Sequence, residues 1–169
     1  MVTLGDILPA AWLGDIHGAP HALAAPDGRV RVIVLWSATC PVVNLAEASL
    51  AALRQTWPAE VSVLFIASNA DESLELLTSE AEARGVSPLL VDPGARMADL
   101  LGGTTTPQAF VVDGESRLRY RGAVDDSTMR QREATRHFLA DAVEAVLAGD
   151  PPDPAETPTY GCALVREIS

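Results

Sequence analysis

The sequence contains no lysine; its twelve basic residues are all arginine, set against 23 acidic ones, for a formal net charge of −11. A surface with that balance repels phosphate backbones and anionic lipid, which argues against nucleic-acid or membrane-surface partners. Arg29 and Arg31, and Arg117, Arg119 and Arg121, make two local basic clusters, expected as strand-edge residues on an otherwise acidic surface. No apolar run approaches the roughly 20 residues that a membrane span needs. The stretch MVTLGDILPAAWLGD has no basic start followed by an apolar core, so no secretory leader is visible and a cytoplasmic location is the default expectation. Cysteine occurs only at Cys40 and Cys162, which excludes a disulfide framework and a zinc site of paired CxxC motifs. His17, His21 and His137 show no ligand spacing and are expected as isolated surface side chains. No metal and no bound cofactor is expected.

What is present is enough apolar residue, 48% of 169, to bury a core without staples. Residues 1–28, rich in Gly, Ala and Pro, suggest an amino-terminal arm or hairpin. Val32–Trp36 is a continuous apolar run rich in β-branched residues, as in a strand covered on both faces. After Pro41, apolar residues at Ala46, Leu50, Leu53 and Trp57 recur at helical spacing, and Pro58 stops the pattern. Val61–Ala67 is a second buried strand. Asn69 with Glu72 resembles a capping box opening a helix over about 70–84, with Gly85 at its carboxyl end. Pro88–Val91 reads as a third strand and Ala95–Leu101 as a short helix. Ala109–Val112 and Leu118–Arg121 form a hairpin about Asp113-Gly114. A last helix is expected over Met129–Ala148, with Asp125-Asp126 as its solvated start. The order βαβαβαββα calls for a three-layer α/β/α sandwich over residues 29–149, its mixed sheet ending in an antiparallel hairpin. Residues 150–169 are a Pro-rich tail carrying Cys162.

The chemistry gathers at TCPVV, where Cys40 joins a buried strand to a helix. Free amide N–H groups and the positive end of the helix favour a thiolate there, and Pro41 fits the first turn, where its missing N–H costs nothing. Cys40 is therefore a candidate nucleophile, the alternative being a buried inert thiol. Trp36 is expected to pack beside this turn and shield it. Ser37 and Thr39 are candidates either to hydrogen-bond a thiolate or to satisfy the turn backbone.

These residues carry a resemblance. VIVLWSATCPVV resembles the strand and active-site turn of the thioredoxin-like superfamily, and TTTPQAFVVDGESRLRYRG resembles its Thr-Pro turn, with Thr106 preceding Pro107 in the place of the cis-proline that packs beside the reactive cysteine. YRGAVDD, AVEAVLAGDPP and TYGCAL are similar to redoxin, or alkyl hydroperoxide reductase/thiol-specific antioxidant-like, domain proteins. The resemblance implies a thioredoxin-like fold with an inserted βα unit. It implies a thiol-disulfide oxidoreductase with Cys40 as nucleophile; Cys162 is a candidate resolving thiol that a mobile Pro-rich tail could bring to Cys40, the alternative being a short terminal strand in which Cys162 never meets Cys40. Its partners would be a protein disulfide or a hydroperoxide, and an external thiol reductant. Two departures matter. Val43 stands where thioredoxins place their second cysteine. Against the peroxiredoxin pattern Pro-x-x-x-Thr/Ser-x-x-Cys, Ser37 matches but Ile33 replaces the proline, and TTPQAF lacks the peroxide-binding arginine. A thiol-dependent peroxidase and a non-catalytic thioredoxin-like binding or redox-sensing module are the alternatives.

Overall fold

The computed structural model describes residues 1–168. Its centre is β3 (Val30–Trp36), buried along its whole length because it pairs on both sides. It runs parallel to β4 (Val61–Ala67) and antiparallel to β7 (Gln108–Val112). With β5 (Leu89–Val91) beside β4 and β8 (Leu118–Gly122) beside β7, the sheet order is β5-β4-β3-β7-β8. Alternate residues of β3 face opposite layers. Val32, Val34 and Trp36 pack with Val43 and Leu50 of α1 (Pro41–Thr56), Leu77 of α2 (Leu74–Arg84) and Val143 of α4 (Phe138–Leu147). Ile33 and Leu35 pack with Met97 and Leu101 of α3 (Arg96–Leu101) and with Leu8 and Leu23 of the amino-terminal arm. The right-handed rule for parallel crossovers accounts for α1 and α2 sharing one face, since β3-β4-β5 advance in one direction, while α3 leads to the antiparallel β7 from the other face. The fold is the expected three-layer mixed α/β sandwich. The arm carries the hairpin β1 (Ala11–Gly14) and β2 (Pro20–Ala24).

Several expectations give way. The second helix begins at Leu74, not near residue 70: Ser73 caps it, accepting from the Leu76 amide at 3.1 Å, and neither Asn69 nor Glu72 forms a capping box. The last helix begins at Phe138, nine residues later than expected. Met129 and residues 130–133 are exposed, so no apolar face holds that stretch as helix. Asp126 instead gathers it into a loop, accepting from the Thr135 and Arg136 amides at 2.8 and 3.0 Å and from the Thr135 hydroxyl at 2.6 Å. The Thr135 hydroxyl, the chief contributor, helps hold the Asp126 carboxyl at about 2. Asp125 is buried rather than solvated, bound by Ser49 Oγ at 2.8 Å. Arg31 is not a surface residue but a buried one, paired with Asp27 at 2.7 Å. Nor is His21 isolated, since Nε2 meets Asp15 Oδ2 at 2.8 Å.

The tail is docked across the carboxyl-terminal edge of the sheet. The Arg121 amide donates to Ala155 O at 3.0 Å and the Thr157 amide to Arg121 O at 3.2 Å. Two-residue strands β6 (Thr105–Thr106) and β9 (Cys162–Ala163) then pair antiparallel, matching Thr106 with Cys162. Beyond them the Leu164 amide donates to Thr104 O and the Val165 amide to Asn69 Oδ1. Anchored at each of these points, the segment is a belt rather than a free arm.

Candidate active site

Cys40 lies where β3 ends and α1 begins. It is the N-cap of α1, extended at φ −83° and ψ 118°, with Pro41 in the first turn. Ser37, 1% exposed, shapes the approach: its Oγ accepts from the amides of Thr39 and Cys40, both at 3.2 Å. It also donates to Glu72 Oε1 at 2.7 Å, an oxygen that further accepts the Thr39 amide and hydroxyl, each at 3.1 Å. Ser37 thus takes the backbone role, whereas the Thr39 hydroxyl takes neither expected role and bonds the Glu72 carboxylate. Glu72 is buried with three donors on Oε1 and, among the described residues, no hydrogen-bond partner at Oε2.

Trp36 lies fully buried beneath the turn, its indole N–H donating to Glu47 Oε1 at 2.7 Å. Arg84, from the last turn of α2, stacks over the Trp36 ring at 4.9 Å and donates to Ala38 O at 3.2 Å and Asn44 Oδ1 at 2.6 Å. Its pairing with Glu47 completes a clamp that ties α2 to the Cys40 turn. An open cleft of about 530 Å³ flanks Cys40, walled by Thr39, Pro41, Asn44, Glu47, Glu80 and Arg84.

Cys40 and Cys162 are joined as a disulfide, 122 residues apart in sequence and 6.2 Å between Cα atoms, inside the usual range. The Cys40 sulfur does not turn onto the helix amides; it rests 3.2 Å from the Thr106 carbonyl oxygen. Thr106 and Pro107, joined by a cis bond, are both buried beside it. Cys162 reaches Cys40 because Gly161 permits it. A Cβ there would stand 2.1 Å from Thr106 O and 3.1 Å from Pro107 Cδ. Further back, Thr157 Oγ1 accepts the Ala123 amide at 3.0 Å and meets Tyr120 Oη at 2.7 Å. Burial pushes the Tyr120 phenol up to about 12, the bond to Thr157 opposing it.

The structure thus brings together every residue that the sequence nominated: Cys40, Cys162, Trp36, Ser37, Thr39, Pro41, Thr106 and Pro107. Glu72, Glu47 and Arg84 escaped sequence reasoning. Only Glu72 left a signal, as the acidic member of an apparent capping box whose partner proved to be the active turn.

Comparison with known proteins agrees with this arrangement. The AhpC/TSA family model matches residues 4–121, from the arm through β8. A hypothetical protein from Sinorhizobium meliloti is 30% identical with a TM-score of 0.87, covering 100% of this chain and 97% of its own. An uncharacterized conserved protein from Geobacillus kaustophilus is 26% identical with a TM-score of 0.87, covering 100% and 95%. A thiol-disulfide oxidoreductase from Bacteroides fragilis shares the fold at 18% identity and a TM-score of 0.59, covering 69% of this chain and 89% of its own. Among curated proteins none matches. With the Cys40 turn, the Thr-Pro turn and most of the sheet inside the matched span, the chain belongs to the AhpC/TSA family and is a thioredoxin-like redoxin domain protein.

Proposed function

We propose that the protein is a thiol-disulfide oxidoreductase in which Cys40 and Cys162 are the exchanging pair. In the reduced protein the Cys40 thiolate attacks one sulfur of a substrate disulfide, forming a mixed disulfide and releasing the other substrate sulfur as a thiolate that takes up a proton. Cys162 then loses its proton and attacks Cys40, closing the intramolecular disulfide and freeing the second substrate thiol. Two electrons pass from the cysteine pair to the substrate, and an external thiol restores them.

The observation that carries this reading is the Cys40–Cys162 bond itself, formed between a helix N-cap and a strand held against the Thr106-Pro107 turn. A tail tied at Thr104, Thr106 and Arg121 brings the second thiol to a motif that has Val43 in its place. The test is trapping: in Cys162→Ser, Cys40 should accumulate a mixed disulfide with an oxidised protein substrate or glutathione disulfide. No such adduct, with Cys40 reacting no faster than a free thiol, would refute the proposal.

A second reading, thiol-dependent peroxidase, is favoured by the family itself. Cys40 would be oxidised to a sulfenic acid as the peroxide O–O bond breaks, and Cys162 would condense with it, releasing water. Its weakness is electrostatic. Arg84, at the cleft beside Cys40, is committed to Glu47, Asn44 and Ala38 O, and Ile33 is buried core. Consumption of hydroperoxide with dithiothreitol as donor decides it; peroxide left intact by protein that exchanges disulfides would exclude it.

A further inference from the structure

On its β5 side the sheet is left half covered. β5 is three residues long and pairs only with Phe65–Ala67, the last part of β4. The ladder ends at Pro88, whose carbonyl accepts the Phe65 amide at 3.2 Å but which has no N–H to carry the pairing further. The first part of β4, residues 61–64, therefore has β3 on one side and no strand on the other. Printed along the strand, the bonds show which groups are left over. Glu60 O accepts the Val30 amide on the β3 side, while the Phe65 amide and Ala67 O bond on the β5 side, to Pro88 O and the Asp92 amide. Odd-numbered residues of β4 thus direct their N–H and C=O away from β3. Val63 is one of them, and among the described residues neither group meets a protein partner there. A free donor and acceptor on a buried residue are a template for one more strand.

Val63 lines a cavity of about 340 Å³ where β5 stops short, walled by Trp57 of α1 and by Pro88, with His21 and Arg54 at its rim and no carboxylate among the lining residues. Arg29 stands behind Ser62, another lining residue, and donates to its Oγ at 2.8 Å. The Arg29 and Arg54 guanidinium groups bond only hydroxyl and carbonyl oxygens among the described residues: Ser62 Oγ and Ala59 O for Arg29, Ser87 O for Arg54. His21 is held by Asp15 through Nε2. On a chain of net charge −11, two arginines without carboxylate partners at one notch select an anionic occupant. They also stand on opposite faces of the sheet: Arg54 belongs to α1, whose layer Val63 faces, and Ser62 alternates with Val63.

We infer that this notch docks an extended acidic segment of a partner protein, which adds as a short strand to the free half of β4. One residue of the segment exchanges two backbone hydrogen bonds with Val63. Because successive side chains of a strand point to opposite faces, two neighbouring carboxylates reach Arg54 and Arg29. The notch lies about 20 Å along β4 from Ala67, which pairs with Trp36 at the Cys40 turn. A partner held there leaves the Cys40 cleft open, so this is a binding site separate from the exchanging cysteines, and it does not depend on the exchange reading.

The probe is the peptide acetyl-Thr-Val-Glu-Glu-Val-Thr-amide, titrated into the full chain labelled with nitrogen-15 and followed by nuclear magnetic resonance. The expected result is a saturable shift of the Val63 amide and of the Trp57 indole, with Overhauser contacts from the Val63 amide to the peptide backbone. The same peptide with glutamine at both glutamate positions should bind roughly threefold or more weakly, and Arg54→Gln should weaken the acidic peptide about twofold to fivefold. The glutamine peptide is compared on the unaltered protein, so the test stands even if the variant misfolds. No binding at millimolar peptide, equal affinity for the glutamine peptide, or binding without contacts to Val63 overturns the inference. So does glutarate reproducing the shifts at the same concentration, which would make the notch a small-anion site. A Val63 shift that appears on concentrating the protein alone also overturns it, by giving the notch to a second copy of the chain.

Discussion

Replacing Gly161 with alanine tests how far the belt, rather than the cysteines alone, sets the redox chemistry. The new Cβ would meet Thr106 O at 2.1 Å and the Thr106 carbonyl carbon at 2.8 Å, whereas ordinary contact begins at 3.4 Å. Both obstructing atoms are backbone in the turn that precedes Pro107, so β9 itself must retreat by more than an ångström. Overpacking of that kind costs about 1–3 kcal/mol. In the reduced protein the strand can lift and relieve it; in the oxidised protein the bond to Cys40 forbids this. The strain therefore falls on the disulfide form, and for a two-electron couple it raises the reduction potential by about 20–65 mV. Equilibration of wild type and Gly161→Ala against glutathione buffers, with alkylated thiols counted by mass, measures the shift. An unchanged potential would refute the reasoning, because it would mean that β9 does not need to approach Thr106 for the sulfurs to bond.

Glu72→Ala leaves the Ser37 hydroxyl and the Thr39 amide and hydroxyl without their shared acceptor; stability should fall by about 1–3 kcal/mol in urea denaturation, and exchange at Cys40 should slow. Thr157→Val removes the partner of the buried Ala123 amide and of Tyr120 Oη; a loss of about 1–3 kcal/mol is expected, with faster hydrogen exchange in residues 155–164. Tyr120 is raised from 10.0 to about 12 in the folded protein, so the unfolded chain releases this proton first and the stability linked to it, fully present below pH 10, is lost between about pH 10 and 12. Ultraviolet titration should show that late component in wild type and not in Tyr120→Phe.

The sheet was legible because its strands are short apolar runs: Val32–Trp36 and Val61–Ala67 have no polar face to disguise them. Cys40 was legible because strand, cysteine and proline follow one another without a gap. The belt was not, since β6 and β9 are two residues each and carry no periodicity, and their pairing spans more than fifty residues. The final helix was overextended because residues 129–137 contain good helix formers, while what decides their fate is a carboxylate, Asp126, folding the chain back on itself. Glu72 was misread for a related reason: spacing alone cannot tell whether an acid serves its own helix or a neighbouring turn. Arg84 gave no signal at all, because its partners Ala38, Asn44 and Glu47 lie forty or so residues earlier.

The long-range Cys40–Cys162 bond also bears on how the molecule withstands damage. The exposed stretch 129–133 is where a protease would most readily nick the chain. The carboxyl-terminal piece would still carry α4, packed on the sheet through Leu139 and Val143, and would remain covalently fastened through Cys162 to the piece holding Cys40. Cleaved protein would migrate as one species until a reductant and a denaturant were applied together, and the oxidised state would hide the wound.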